Sequence, residues 1–189
     1  FKIDSADDSV YSNGNIVITG GNISVASGDN GMHADGNLTI SDGTVDITKS
    51  YEGIEGAIVT IDGGTTSVVA SDDGINCAGG SDTGSTDRMG GDQFSSQDGV
   101  ELNINGGTVT IDAEGDGLDS NGNFTMAGGT VCVCGPTNGG NGALDYNGTA
   151  TVTGGTLIAC GAVGMEEGFG DSSTQYSVCL LYTSDAADE

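Results

Sequence analysis

The chain repeats one short pattern about every 22 residues, and this period limits its fold more than any other feature. Most repeats open with an acidic or amide residue, a glycine and an apolar residue, and they close with Gly-Gly-Thr or a close variant. A fixed period of 20 to 50 residues is typical of a solenoid, in which each repeat forms one coil stacked on the next. The apolar residue near each opening marks six repeats: Val10, Met32, Ile54, Ile75, Leu118 and Leu144.

Alternating apolar residues within each repeat predict short strands that face a common interior. Leu38 and Ile40 alternate with polar residues, and Val45 and Ile47 do the same a few positions later. Residues two apart on a strand point to the same face, so these pairs and their equivalents should form apolar ladders. We predict an all-β fold: a three-sided parallel β-helix of about six coils, right-handed as parallel crossovers usually are. The equivalent pairs are Val59 and Ile61, Leu102 and Ile104, Phe124 and Met126, and Val131 and Val133.

Breaks in the repeat predict one domain with an insertion and a foreign tail. The step from Ile75 to Leu118 is about one coil too long, so residues 79–98, rich in Gly, Ser and Asp, should form a surface loop. Residues 179–189 break the pattern and resemble a translated sequencing adaptor, so we expect them not to be native. The remaining residues, 1–178, form a single predicted β-helix domain. Because it starts within a repeat, we expect this domain to be truncated at both ends.

Acidic residues dominate the charge of the chain and exclude some partners. Asp and Glu number 28 against three Lys and Arg, which gives a formal net charge of −25. Such a surface repels nucleic acid and anionic membranes and attracts cations. We therefore expect no nucleic-acid partner. We also expect no membrane span, because no apolar run approaches the roughly 20 residues of a membrane-spanning helix.

Acidic and amide side chains recur at two places in the repeat, just before the first strand and just after its apolar marker. Stacking turns them into columns of like charges about 5 Å apart, which a protein tolerates when a cation neutralises them. Ca²⁺ takes six to eight oxygen ligands from such groups, so we predict a Ca²⁺ site in these columns. The alternative is that Asp-Gly and Asn-Gly only shape the corners by bonding to the backbone. The predicted metal ligands are Glu52, Glu55, Asp72, Asp73, Asn76, Asp116 and Asp119.

Four other side chains are candidate ligand-binding residues: Lys49, Tyr51, His33 and Arg88. Lys49 precedes the Ser50-Tyr51-Glu52 segment and is expected to balance charge, with contact to a uronate carboxylate or proton abstraction from a uronate as sharper alternatives. His33 lies in an outward column and is expected to be exposed and solvated, with a role as ligand or base as the alternative. Arg88 lies in the insertion, from which it could reach a ligand.

Two cysteines, Cys134 and Cys160, occupy equivalent positions in successive repeats. Stacking would place their Cα atoms about 5 Å apart, within the range of a disulfide, and two free thiols fit the pattern equally well. No CxxC, HExxH or GxSxG pattern occurs, so zinc and serine-hydrolase chemistry have no support.

Four segments of the chain are distinctive together: Asp46–Glu55, Ser71–Asn76, Gly115–Gly122 and Asn141–Tyr146. They resemble a bacterial family of extracellular carbohydrate-binding β-helix proteins, which is itself similar to calcium-dependent pectate lyases. The resemblance runs from Asp4 to Val178 and implies a right-handed β-helix, bound Ca²⁺ and an acidic plant polysaccharide such as polygalacturonate. It implies calcium ligands at Glu52, Glu55, Asp72, Asp73, Asn76 and Asp119, with Lys49 at the site. The chain departs from the family at both ends, where an export region and final coils are missing.

These observations favour calcium-dependent binding of polygalacturonate or pectin by an extracellular or cell-surface module. The absence of Trp argues against stacking of neutral sugars on aromatic platforms. A polysaccharide lyase with Lys49 as base is the alternative, although three basic residues supply few cations for an enolate. A structural surface adhesin or stalk is the second alternative.

Overall fold

The computed structural model describes residues 1–78, 96–165 and 167–180. All of the secondary-structure elements in these ranges are strands, and none of the described residues forms a helix that could cross a membrane. The strands are β1 (Lys2–Asp4), β2 (Val10–Ser12), β3 (Ile16–Ala26), β4 (Met32–Lys49), β5 (Ile54–Ile61), β6 (Thr65–Ala70), β7 (Ile75–Cys77), β8 (Glu101–Ile104), β9 (Thr108–Ala113), β10 (Leu118–Ser120), β11 (Asn123–Met126), β12 (Thr130–Cys134), β13 (Leu144–Tyr146), β14 (Ala150–Val152) and β15 (Thr156–Cys160).

Parallel pairing between successive repeats joins these strands into a β-solenoid of about six turns. One ladder runs through β2, β4, β5, β7, β10 and β13, and a second through β3, β4, β5, β8, β11 and β14. A third runs through β1, β3, β4, β6, β9, β12 and β15. The prediction of an all-β fold built from stacked parallel strands is therefore confirmed.

The apolar ladders predicted from the alternating pattern form the core. Ile40 is in register with Ile61, which pairs in turn with Ile104, and the same ladder continues to Met126. All four side chains are fully buried. Each coil therefore contributes the same side-chain position to a continuous interior, and the burial of these apolar residues drives the stacking.

Close packing across the interior requires the glycine that opens each of the four middle repeats, at Gly31, Gly53, Gly74 and Gly117. A Cβ on Gly74 would lie 2.3 Å from Ile111 Cγ2 and 2.5 Å from the carbonyl oxygen of Gly117. A Cβ on Gly53 would similarly lie 2.2 Å from Val68 Cγ1. In these middle coils the backbone thus passes directly over inner side chains of another strand, which leaves no room for a Cβ, whereas the first and last repeats carry Ser9 and Ala143 at this position.

The second glycine of Gly-Gly-Thr serves the turn at the other end of the repeat. Its φ is positive in all six repeats, from 76° at Gly64 to 101° at Gly43. Only glycine adopts this backbone region without strain, so the closing motif fixes the corner before the third strand.

The long insertion leaves the stacking intact. Strands β7 and β8 both pair with β5, so the extra residues lie between two strands of one coil. Most of the predicted loop over 79–98, with candidate Arg88, lies outside the described residues, as do residues 181–189 of the predicted tail.

Candidate functional site

The first strand of each coil presents a column of mainly polar side chains, which we call the strand column. Its members are in register from coil to coil, as the repeat predicts. Neighbouring strands lie about 4.8 Å apart, so each side chain has its equivalents directly above and below it. The strand column consists of Tyr11, His33, Glu55, Asn76, Asp119 and Asp145.

The turn before this strand carries a second line of side chains, the turn column, and much of it is structural. The carboxylate of Asp73 accepts the backbone N–H of Asp116 at 2.7 Å, and that of Asp116 accepts the N–H of Gly142 at 2.5 Å. In the first coils, Asp8 accepts the N–H of Asn30 at 2.9 Å. The alternative that these residues shape the corners by hydrogen bonding to the backbone therefore holds in part, although the backbone that they bond belongs to the next coil. The turn column consists of Asp8, Asn30, Glu52, Asp73 and Asp116.

The two columns meet in an acidic cluster over three successive coils. Asp73, Asp116 and Asp119 each offer a carboxylate oxygen, and these oxygens lie within 4.8 Å of one another. Glu52 and Asn76 lie beside them, since the Asn76 side chain hydrogen-bonds to Glu52, whose charge also acts on Asp119. All five side chains are partly buried. We call these five residues the acidic cluster.

Protons are held tightly in the acidic cluster. Burial raises the pKa of Glu52 to about 8, and the neighbouring Glu55 adds to this effect. Burial likewise raises the pKa of Asp119 to about 8, with a further contribution from Asp73. The pKa of Asp73 rises to about 7 and that of Asp116 to about 6, again mainly through burial. Hydrogen bonds from backbone N–H groups lower the pKa of the last two residues but do not cancel the effect.

Asn76 contributes an atom that lacks a partner. Its Oδ1 is buried and accepts no hydrogen bond. A buried carbonyl oxygen without a donor is costly, so the arrangement is favourable only when another group satisfies it. With the surrounding carboxylates it makes an all-oxygen donor set, which suits a hard cation such as Ca²⁺ and does not suit a metal that prefers nitrogen or sulfur.

Glu55 and Asp72, which were predicted in the same set, lie at its edge. Asn30 Nδ2 donates a hydrogen bond to Glu55 Oε2, which also lies 3.6 Å from His33 Nε2. Asp72 is partly buried. Burial and the charge of Glu55 are the larger causes of the raised pKa of Glu52, and the charge of Asp72 is a smaller one. The predicted set of ligands therefore divides between the acidic cluster and the neighbouring coil.

The expectation that His33 is exposed and solvated is wrong, because only 2% of it is accessible. Its Nδ1 lies 3.4 Å from Asp8 Oδ2, and its Nε2 lies 3.5 Å from Asp35 Oδ1, with Glu55 on the same side. Tyr11 covers the ring edge-on at 5.1 Å and donates a hydrogen bond to Asp35. The ring is buried although it belongs to the strand column, because acidic and aromatic side chains of both adjacent coils cover it.

The other candidate ligand-binding residues are placed less centrally. Lys49 is exposed and forms no ion pair with any described carboxylate, so its expected role in charge balance has no contact to support it. Tyr51 is partly buried at the turn, where its N–H bonds to the carbonyl of Asp29. Arg88 lies outside the described residues.

Two acidic groups were not predicted as sites. Asp7, Asp8 and Asp29 bring carboxylate oxygens within 4.8 Å of one another at the first coils, a grouping that the Asp-Asp opening of that repeat could have indicated. At the other end of the solenoid, the carboxylate of Glu167 accepts the Tyr146 N–H at 3.1 Å. Burial is the main cause that raises the pKa of Glu167, and the charge of Asp145 adds to it. Glu167 extends the acidic surface beyond the last strand column residue, and it lies outside the repeat pattern that guided the prediction.

Protein kept in chelator should lose stability as pH rises, because the pKa values of Glu52, Asp73 and Asp119 are raised in the folded state. Between about pH 4 and pH 8 the unfolded chain releases these protons and the folded chain retains them, so unfolding becomes more favourable. We expect the thermal midpoint to be lower at pH 8 than at pH 5 by roughly 5 °C or more, and Ca²⁺ to reverse most of this loss. Circular dichroism melts at both pH values test this, and an equal or higher midpoint at pH 8 without metal would contradict it.

One comparison with known proteins places the acidic cluster within a recognised domain. A family model described as "Carbohydrate-binding domain-containing protein" matches residues 33–142, more than half of the chain. The chain belongs to this family. The matched region contains every residue of the acidic cluster, and it supports a carbohydrate-binding domain in this part of the solenoid. Neither a search of curated proteins nor a search of solved structures gives a match.

Proposed function

We propose that this domain binds acidic polysaccharide, such as the polygalacturonate of pectin, through Ca²⁺ held by the acidic cluster. In this proposal the solenoid is a right-handed, three-sided β-helix that works outside the cell or at its surface, as a binding module or adhesin. Membership of a carbohydrate-binding family supports a carbohydrate ligand, and the grouping of carboxylates in the acidic cluster supports a metal ion.

The observation that carries the proposal is the convergence of Asp73, Asp116 and Asp119 with a buried, unbonded amide oxygen at Asn76. Hydrogen bonds to the backbone of the next coil explain why Asp73 and Asp116 occupy the turn column, but they do not explain Asp119, which lies on the strand. Three carboxylates this close are unfavourable without a counter-ion. Ca²⁺ would therefore relieve a repulsion that the fold otherwise carries.

The same cation resolves a conflict between the charges of the two partners. A chain with a net charge of −25 repels a polyuronate that approaches within about a Debye length, roughly 10 Å at 0.1 M salt. A Ca²⁺ ion that retains open coordination positions attracts the carboxylates of the sugar while protein oxygens hold it in place. Glu52, Asp73, Asn76, Asp116 and Asp119 would hold the ion, and its chemistry would be that of a bridge between two sets of carboxylates.

Retention on immobilised polygalacturonate tests the proposal. We expect binding in Ca²⁺ that is lost in chelator, and that is also lost on methyl-esterified polygalacturonate, which lacks free carboxylates. Retention that persists unchanged in chelator would refute the calcium bridge. Equal retention on the esterified polymer would refute the acidic specificity while leaving carbohydrate binding in place.

The same mixture distinguishes a binding module from a lyase. A lyase would generate an unsaturated sugar product with increasing ultraviolet absorbance, and Lys49→Ala would abolish that increase. We expect no increase, because Lys49 is exposed and contacts none of the described carboxylates of the cluster.

A further inference from the structure

Three cysteine thiols lie on the outward surface of the last two coils of the solenoid. Cys134 ends β12, Cys160 ends β15, and the two residues are direct partners in the parallel pairing of these strands. Cys132 lies two residues before Cys134 and points to the same face. Both Cys134 and Cys160 are exposed, whereas Cys77 is buried in the core.

The pairing places Cys134 and Cys160 at the separation that a disulfide requires. Partner residues on parallel strands have Cα atoms about 4.8 Å apart, and disulfides span Cα separations of roughly 4.4 to 6.8 Å. The side chains of in-register parallel partners point in the same direction, and the two thiols are close enough to interact directly. Burial and a hydrogen bond to Cys134 raise the pKa of the Cys160 thiol, which donates to the carbonyl of Val133 at 3.4 Å.

Backbone hydrogen bonds join the two coils immediately after the two cysteines. Gly135 N–H bonds to the Cys160 carbonyl at 2.7 Å, and Ala162 N–H bonds to the Pro136 carbonyl at 2.7 Å. The chain between them passes through residues 137–142, which form no strand, before β13 begins. A covalent bond between the cysteines would therefore close a loop that contains the whole last coil.

We propose that Cys134 and Cys160 form a redox-responsive disulfide that fastens the last coil of the solenoid to the one before it. The oxidant is a small-molecule disulfide. The Cys134 thiolate attacks one sulfur of that disulfide, which releases one thiolate and leaves a mixed disulfide on Cys134. The Cys160 thiol then loses its proton and attacks the Cys134 sulfur, which releases the second thiolate. The protein loses two thiol hydrogens, and the small disulfide is reduced to two thiols.

The order of attack follows from the surroundings of the two thiols. Cys160 donates its hydrogen to the Val133 carbonyl, and this hydrogen bond stabilises the protonated thiol. Only the thiolate is nucleophilic in exchange. Cys134 is therefore the nucleophile that attacks the small-molecule disulfide first. Cys160, on the adjacent strand, then attacks the mixed disulfide on Cys134.

Oxidation should stabilise the end of the solenoid specifically. A crosslink restricts the unfolded chain, and repeat proteins lose their terminal coils first because these have one neighbour instead of two. We expect slower amide hydrogen exchange in β15 and β13 after oxidation, with little change in β4 and β5. The midpoint of thermal unfolding should rise by about 5 °C or more for the last coils.

Thiol counting and peptide mapping test the proposal in a Cys179→Ser background, which removes the exposed cysteine near the end of the chain. With oxidised glutathione, the four remaining thiols should fall to two, and mapping should find a Cys134–Cys160 linkage. Cys132→Ser should leave this linkage unchanged, whereas Cys160→Ser should leave glutathione attached to Cys134. A linkage that involves Cys132 in its place, glutathione adducts without a crosslink, or four thiols that survive oxidation would each overturn the proposal.

Discussion

Replacement of Asp73 and Asp119 together by asparagine should abolish calcium-dependent retention on polygalacturonate, with a loss of at least about 100-fold in apparent affinity for Ca²⁺. Both residues contribute oxygens to the group that converges within 4.8 Å. Asparagine keeps the shape and one oxygen of each side chain but removes the negative charge. Calorimetric titration with Ca²⁺ and retention on the polymer measure the two losses separately.

The same double variant should be more stable than the wild-type protein at pH 8 without metal. The Asp73→Asn change leaves a side-chain oxygen to accept the Asp116 N–H, so the turn remains closed, while repulsion within the acidic cluster decreases. Weaker binding with greater metal-free stability distinguishes a ligand role from a purely structural one. Asp62→Asn is the matched control, because Asp62 is exposed at the opposite corner and bonds to Asn105 at 2.8 Å. A double variant that binds Ca²⁺ like the wild type would contradict the assignment.

Substitution of Gly74 by alanine should destabilise the fold by about 3 kcal/mol or more, which lowers the thermal midpoint by roughly 10 °C. The added Cβ would lie 2.3 Å from Ile111 Cγ2 and 2.5 Å from the Gly117 carbonyl oxygen, and neither atom has room to retreat. The strand that carries Asn76 and the turn that carries Asp73 would both be displaced. Ca²⁺ binding should therefore decrease together with stability.

Gly14→Ala serves as the control for this effect. A Cβ on Gly14 would meet its nearest neighbour, Ser12 Oγ, at 3.9 Å, which is an ordinary contact. We expect a change in midpoint of no more than about 2 °C for that variant. If Gly74→Ala unfolds at the same temperature as Gly14→Ala, the close packing over Ile111 is not what requires glycine at position 74.

The fold could be predicted from the sequence because each of its parts depends on position within the repeat. The alternation of Leu38, Ile40, Val45 and Ile47 determines which face is buried, and stacking then places each equivalent residue in register. Insertion of residues 79–98 did not disturb the prediction, since the strands on both sides retain the pattern.

The site could be predicted only in part because side chains reach between coils. The strand and turn columns followed from the period, and so did the proximity of Asp73, Asp116 and Asp119. The burial of His33 did not, because it depends on Asp35, a residue outside both columns, and on the ring of Tyr11 from the preceding coil. The direction of Glu55 likewise depends on a hydrogen bond from Asn30 that no periodic pattern specifies.

Crystallographic anomalous scattering from a complex with Ca²⁺ and a galacturonate oligomer tests the central proposal most directly. We predict an anomalous peak within coordination distance of Asp73, Asp116 and Asp119, with a sugar carboxylate on the open side of the ion. A calcium peak only at Asp7, Asp8 and Asp29, or an oligomer bound without any contact to an ion, would contradict it.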